Sequence, residues 1–78
     1  MTIMPAEVKA ARVLLGWSQR ELAKRAVVSR SVISGFEIRK ARPRPATIRH
    51  LQNILESAGV IFVEENGEGP GVRLKKTK

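Results

Sequence analysis

Ser18-Gln19-Arg20-Glu21-Leu22-Ala23-Lys24-Arg25-Ala26-Val27-Val28-Ser29-Arg30-Ser31-Val32-Ile33-Ser34-Gly35-Phe36-Glu37 is the stretch that decides the fold. It holds two helix-start signals with a short gap between them. Ser18 stands as an N-cap, and Glu21 three residues on makes a capping box. Trp17, just before the cap, and Leu22, at the fourth helical position, form a hydrophobic staple across it. A cap contributes about 1 kcal/mol. That decides matters for a helix of about two turns, which does not persist in isolation. Ser29 caps a second helix running to about Ile38, with Val32, Ile33 and Phe36 as its buried stripe. Arg30, Ser31, Ser34 and Gly35 lie elsewhere on its surface. Too few residues separate the helices for anything but a tight turn, so the pair crosses steeply. Ala23 is small where they approach, and Leu22, Val28 and Ile33 support the crossing from beneath.

Working outward, Met1 to Met4 read as a loose arm, and Pro5 suits a first helical turn. Ala6 to Leu15 form a helix with Val8, Ala11 and Leu15 on one stripe and Leu14 beside it, stopped by Gly16. Downstream, Arg39-Lys40-Ala41-Arg42-Pro43-Arg44-Pro45 is a basic, proline-broken loop. A fourth helix covers Pro45 to Ser57, with Ile48, Leu51, Ile54, Leu55 and Ala58 facing the core and Gly59 ending it. The remainder changes character. Val60 to Val63 and Val72 to Lys75 flank Glu64-Glu65-Asn66-Gly67 and Gly69-Pro70-Gly71, the pattern of a β-hairpin with a long loop. A lone hairpin is unstable in water, so it must pack on the helices or pair with another chain. The expected organisation is a helical domain over residues 1–59 and a hairpin extension with a basic tail over 60–78.

At 78 residues the chain is one domain, marginal by size and without cysteine to staple it, which makes self-association a source of stability. It carries no signal-peptide pattern and no apolar run of about 18 residues, so a cytoplasmic, nucleoid-associated protein is the expectation. The net charge is +8, and its placement matters more than its size. Residues 1–50 hold eleven basic and three acidic side chains, whereas residues 51–78 hold four of each. The whole excess sits on the segment with the two-helix motif, which points to a polyanion partner. A steep helix pair whose second member is polar and basic at its start fits the DNA major groove.

The pattern of Ser18, Gln19, Glu21, Leu22, Ala23, Val28, Ser29, Ile33, Ser34 and Glu37 resembles the Cro and phage-repressor (Xre-like) helix-turn-helix family of small bacterial regulators. The resemblance covers residues 5–58, and more weakly the closing hairpin. It implies an all-α, four-helix lambda-repressor-like DNA-binding domain, here with a C-terminal β-hairpin. It further implies a sequence-specific double-stranded DNA-binding transcriptional regulator, a repressor by expectation. In such folds the start of the second helix reads base edges. Here that means Arg30, Ser31 and Ser34, with Val32 and Gly35 as apolar neighbours. Arginine can grip O6 and N7 of guanine in bidentate fashion. Gln19 resembles the family's backbone-clamping glutamine. Ser18, Arg12, Arg39, Lys40, Arg42 and Arg44 are further candidate phosphate contacts. One departure stands out: the family commonly has glycine where this chain has Val27, and a β-branched residue is costly at positive φ.

Specific reading of DNA calls for two half-sites and therefore a homodimer. The hairpin edge is the first candidate contact and the fourth helix the second. Two other readings remain open at this level: the antitoxin of a toxin–antitoxin pair, with a protein partner besides DNA, and an adaptor using the same fold to bind proteins. Nothing points to an enzyme, cofactor or metal. His50, the one histidine, has no cysteine or carboxylate at ligand spacing and reads as a surface residue. Gly67-Glu68-Gly69-Pro70-Gly71 has no helix after it to cradle a phosphate and reads as a hairpin tip. Trp17 reads as a packing residue, and Glu37 as a structural partner for a nearby arginine.

Overall fold

The computed structural model describes residues 2–64 and 67–76. Four helices, α1 (Pro5–Leu15), α2 (Gln19–Ala26), α3 (Arg30–Glu37) and α4 (Pro45–Ser57), precede two strands, β1 (Val60–Val63) and β2 (Gly71–Leu74). The strands pair antiparallel with Val60 opposite Leu74 and Phe62 opposite Val72. The hairpin lays β1 beside α4 and β2 along α1. Residues 65 and 66 of the expected hairpin loop, and residues 77 and 78 of the expected basic tail, lie outside the described residues. The second strand begins one residue earlier than the sequence suggests, and Lys75 still donates to the Gly59 carbonyl at 2.7 Å.

One core unites the elements. Val8 and Ala11 of α1, Leu22 and Ala26 of α2, Ile33 and Phe36 of α3, and Ile48, Leu51 and Leu55 of α4 are buried together. Val60 and Phe62 close it from the hairpin, so the lone-strand problem is met by packing on helices. Trp17 lies partly buried against this core, as expected of a packing residue. The loose arm is a correction. Ile3 is only 2% exposed and belongs to the core, and Met4 donates to the Glu7 carboxylate at 2.8 Å. An apolar side chain in the arm and a carboxylate in the first turn of α1 pin the chain ahead of Pro5.

The start signals behave differently. Ser18 accepts the Glu21 amide at 3.0 Å and caps α2. Ser29 makes no capping bond to α3; its hydroxyl pairs with that of Ser31 at 3.0 Å. The turn between the helices keeps the left-handed geometry even though glycine is absent: Val27 sits at φ 57°, ψ 49°. Such a conformation costs an L-residue about 1–2 kcal/mol. Val27 is 88% exposed, so packing does not offset that cost.

Candidate nucleic-acid interface

The exposed side of α3 follows from its buried one. At 100° per residue, Ile33 and Phe36 point into the protein and Ser31 stands opposite them with Ser34 to one side; Arg30 shares the azimuth of Glu37 but stands in the first turn, beyond the core. Arg30 and Ser31 are exposed, and Ser34 and Val32 are half-buried. Gly35 lies on the outer side too, but the loop after α3 folds over it. Its carbonyl accepts the amides of Lys40 and Ala41, at 2.9 and 3.1 Å. A Cβ built on Gly35 would stand 3.4 Å from the Ala41 methyl. Gly35 thus seats the loop, and the polar side chains left on the outside of α3 are those of Arg30, Ser31 and Ser34.

That loop carries the cationic side chains. Arg39, Lys40, Arg42 and Arg44 are all exposed. Arg39 adopts φ 61°, the second non-glycine residue in the left-handed region. Val28, Val32, Ala41, Arg42, Pro43, Arg44 and Thr47 line a shared groove of about 420 Å³ between the start of α3 and the loop. Two of the expected backbone contacts, Arg42 and Arg44, therefore stand beside the leading turns of α3. Arg39 and Lys40 line a neighbouring hollow with Pro5.

Arg12 requires a correction. Its guanidinium faces inward and its side chain is 11% exposed. Nε and Nη2 donate to the two oxygens of Glu37, at 2.8 and 2.9 Å, and Nη1 donates to the Trp17 carbonyl at 2.9 Å. Glu37 is 3% exposed. With its donors committed inside the protein, Arg12 does not join the outer rim; it joins α1 to the end of α3 and to the turn before α2. Glu37 is structural, as the sequence suggests. Burial pushes its carboxyl up, but hydrogen bonds from Arg12 and Gln19, with the charges of Arg12 and Lys9, outweigh burial and hold it below the ordinary glutamate range. The hydrogen bond from Arg12 to Glu37 raises the arginine in turn.

Gln19 extends the chain of contacts. Its Nε2 donates to Glu37 at 3.1 Å, and its Oε1 accepts from Arg30 at 3.3 Å. One line of polar contacts thus runs from α1 through the end of α3 and the start of α2 to the leading arginine of α3. Ser18 stands next to Gln19 at the same helix start, with its oxygen already accepting from the Glu21 amide.

Three features went unread in the sequence. Val27 and Ile38, 88% and 63% exposed, flank α3 as bare apolar side chains. His50 is not merely a surface residue: its Nε2 lies 2.9 Å from the Ala26 carbonyl and ties α4 to the end of α2. No spacing rule reports a contact between positions so far apart in the chain. Among the described residues no group of three or more His, Cys, Asp or Glu could hold a metal, and no helix is long and apolar enough to cross a membrane. A family model described as helix-turn-helix, of the Cro/C1 type, matches residues 8–57. No curated protein matches the chain.

Proposed function

Because the chain belongs to the Cro/C1-type helix-turn-helix family of DNA-binding transcription regulators, we propose that it is a repressor that reads a specific double-stranded operator with α3 in the major groove. The observation that carries this reading is the outer side of α3. Its polar side chains, Arg30, Ser31 and Ser34, sit beside a groove whose far wall bears Arg42 and Arg44. Arg30 is the base reader, suited to guanine O6 and N7. Ser31 and Ser34 contact base edges or the adjacent phosphates, and Val32 supplies an apolar neighbour. Ser18, Gln19, Arg39, Lys40, Arg42 and Arg44 hold the backbone and set the register without reading sequence. One such module makes few base contacts, so a homodimer presents two copies about one helical turn apart.

Selection of bound sites from a pool of random duplexes tests the reading. Enrichment of a two-fold symmetric site with a fixed guanine in each half supports it. The salt dependence is a second readout. Four neutralised phosphates per subunit give a slope of log K against log[salt] near −4 per subunit. Binding that selects no site, or that ignores salt, would overturn the proposal.

A further inference from the structure

The hairpin has two edges, and they are not equivalent. In an antiparallel pair, opposed residues alternate between exchanging backbone hydrogen bonds and exchanging none. The bond from the Lys75 amide to the Gly59 carbonyl sets the phase. Ile61 with Arg73, and Val63 with Gly71, are the bonded pairs. Val60 and Phe62 therefore aim their N–H and C=O groups away from β2, and Val72 and Leu74 aim theirs away from β1. Among the described residues no third strand borders either edge.

We propose that the β1 edge is completed by β1 of a second copy of this chain, antiparallel and centred on Ile61, giving a continuous sheet in the order β2-β1-β1-β2. In that register Val60 exchanges both backbone bonds with Phe62 of the other copy, and the two-fold axis repeats the exchange. Ile61, 42% exposed on the outer face, then meets its own copy side chain to side chain. Neighbouring registers are worse. Centring on Phe62 sets the Glu64 carboxylate opposite Val60, which is 3% exposed. Centring on Val60 runs the ladder into Ala58, the C-cap of α4.

Charge selects both the occupant and the edge. Two copies with a net +8 each repel, but the excess lies in residues 1–50, and residues 51–78 carry equal numbers of basic and acidic side chains. The strand that a second copy would meet at β1 adds nothing to that excess. Its β2 edge is unsuited. Centring there on Arg73 opposes two arginines, centring on Leu74 opposes Arg73 to Lys75, and centring on Val72 puts Pro70, which has no N–H, into the ladder. Val60 to Val63 carries no charge and no proline.

This deepens the two-half-site reading of the proposed function, yet it is tested without DNA. The chain has no cysteine, so one introduced thiol reports one contact. A non-bonded antiparallel pair has its Cα atoms about 4.5 Å apart, within disulfide reach. Full-length Ile61→Cys, oxidised in dilute solution, is expected to run mainly as a disulfide dimer on a non-reducing gel, while Arg73→Cys stays monomeric. Light scattering is expected to give twice the chain mass for the parent and the single-chain mass for Ile61→Lys, with unchanged helical circular dichroism. A monomeric parent overturns the proposal. So does a dimeric parent in which Ile61→Cys does not cross-link, or in which Arg73→Cys does. A monomer that still selects one DNA sequence loses this inference alone, whereas a cross-linked dimer that selects none loses the DNA reading alone.

Discussion

Helices α2 and α3 are the same length, each follows a serine, and each buries apolar residues in the same core. They differ in what their polar groups do. On α2 the Ser18 oxygen is bonded to the Glu21 amide, Glu21 pairs with Arg25 at 2.7 Å, and the Arg25 guanidinium lies 4.2 Å from the Trp17 ring centre. On α3 the serine makes no cap and Arg30 makes only a long bond to Gln19. One helix uses its side chains to hold itself and its neighbours. The other leaves its leading side chains exposed and bonded only to one another and to Gln19. That contrast is what the proposed division into a scaffold helix and a reading helix rests on.

The pair Arg12–Glu37 ties α1 to the end of α3, where Gln19 at the start of α2 also bonds, and breaking it has the largest expected effect. Arg12→Met leaves Glu37 buried without its main counter-charge, at a cost of about 3–5 kcal/mol in unfolding free energy. Urea denaturation measures it; a loss under about 1 kcal/mol would place the pair among ordinary surface contacts. The pH dependence has a definite sign. Glu37 is held below its ordinary value in the folded protein, so its contribution is complete above about pH 5 and is lost as acid titrates it. In Glu37→Gln that segment of the stability curve should flatten.

Arg30→Ala sharpens the contrast from the other side. It removes nothing that packs, so the denaturation midpoint should stay within about 0.5 kcal/mol of the parent. Binding to the selected operator should fall by about 1–3 kcal/mol more than binding to random DNA. Equal losses on both would make Arg30 a phosphate anchor, leaving sequence reading to Ser31 and Ser34. The two serine positions give the direct comparison. Ser18→Ala should cost about 1 kcal/mol of stability, the worth of a formed cap. Ser29→Ala, which breaks only an exposed hydroxyl pair, should cost less than half of that.

How far the sequence reached follows the same divide. Local signals were legible: the serine starts, the helix stripes, Pro5 and Pro45 at first turns, and the β-branched run Val60 to Val63 all rest on neighbours a few residues away. The buried Arg12 was not legible. An arginine on the first helix looks the same in sequence whether it faces solvent or a carboxylate twenty-five residues downstream, and only the packing of α1 on α3 distinguishes the two. Ile3 was hidden for a related reason, since one apolar residue in a short arm carries no periodicity. Gly35 was placed on the right side of α3 by its spacing, but the return of the loop onto it depends on Ala41. The family pattern for residues 8–57 was readable from fixed offsets of small and apolar residues. The proposed assignment of individual side chains to DNA rests on the three-dimensional rim, which no spacing in the sequence encodes, and the variants above test it.

The smallest expected effect concerns the hinge between the two helices. Val27 pays the left-handed penalty of about 1–2 kcal/mol with its side chain in solvent. Glycine removes that penalty but gains about 0.5–1 kcal/mol of chain entropy in the unfolded state. Val27→Gly should therefore stabilise the protein by a net of about 0.5 kcal/mol, seen as a small rise in the denaturation midpoint with an unchanged slope. Arg39→Gly relaxes the same kind of strain at φ 61° but deletes a cation, so its stability should rise while the salt slope of DNA binding loses about one unit. The two variants together separate backbone relief from charge. If Val27→Gly instead lowers stability, the exposed valine makes a contribution in the folded state that its 88% exposure hides. If it lowers operator affinity while stability rises, the left-handed valine is held for the DNA surface, and the boundary between scaffold and reading element moves back from Ser29 into the turn.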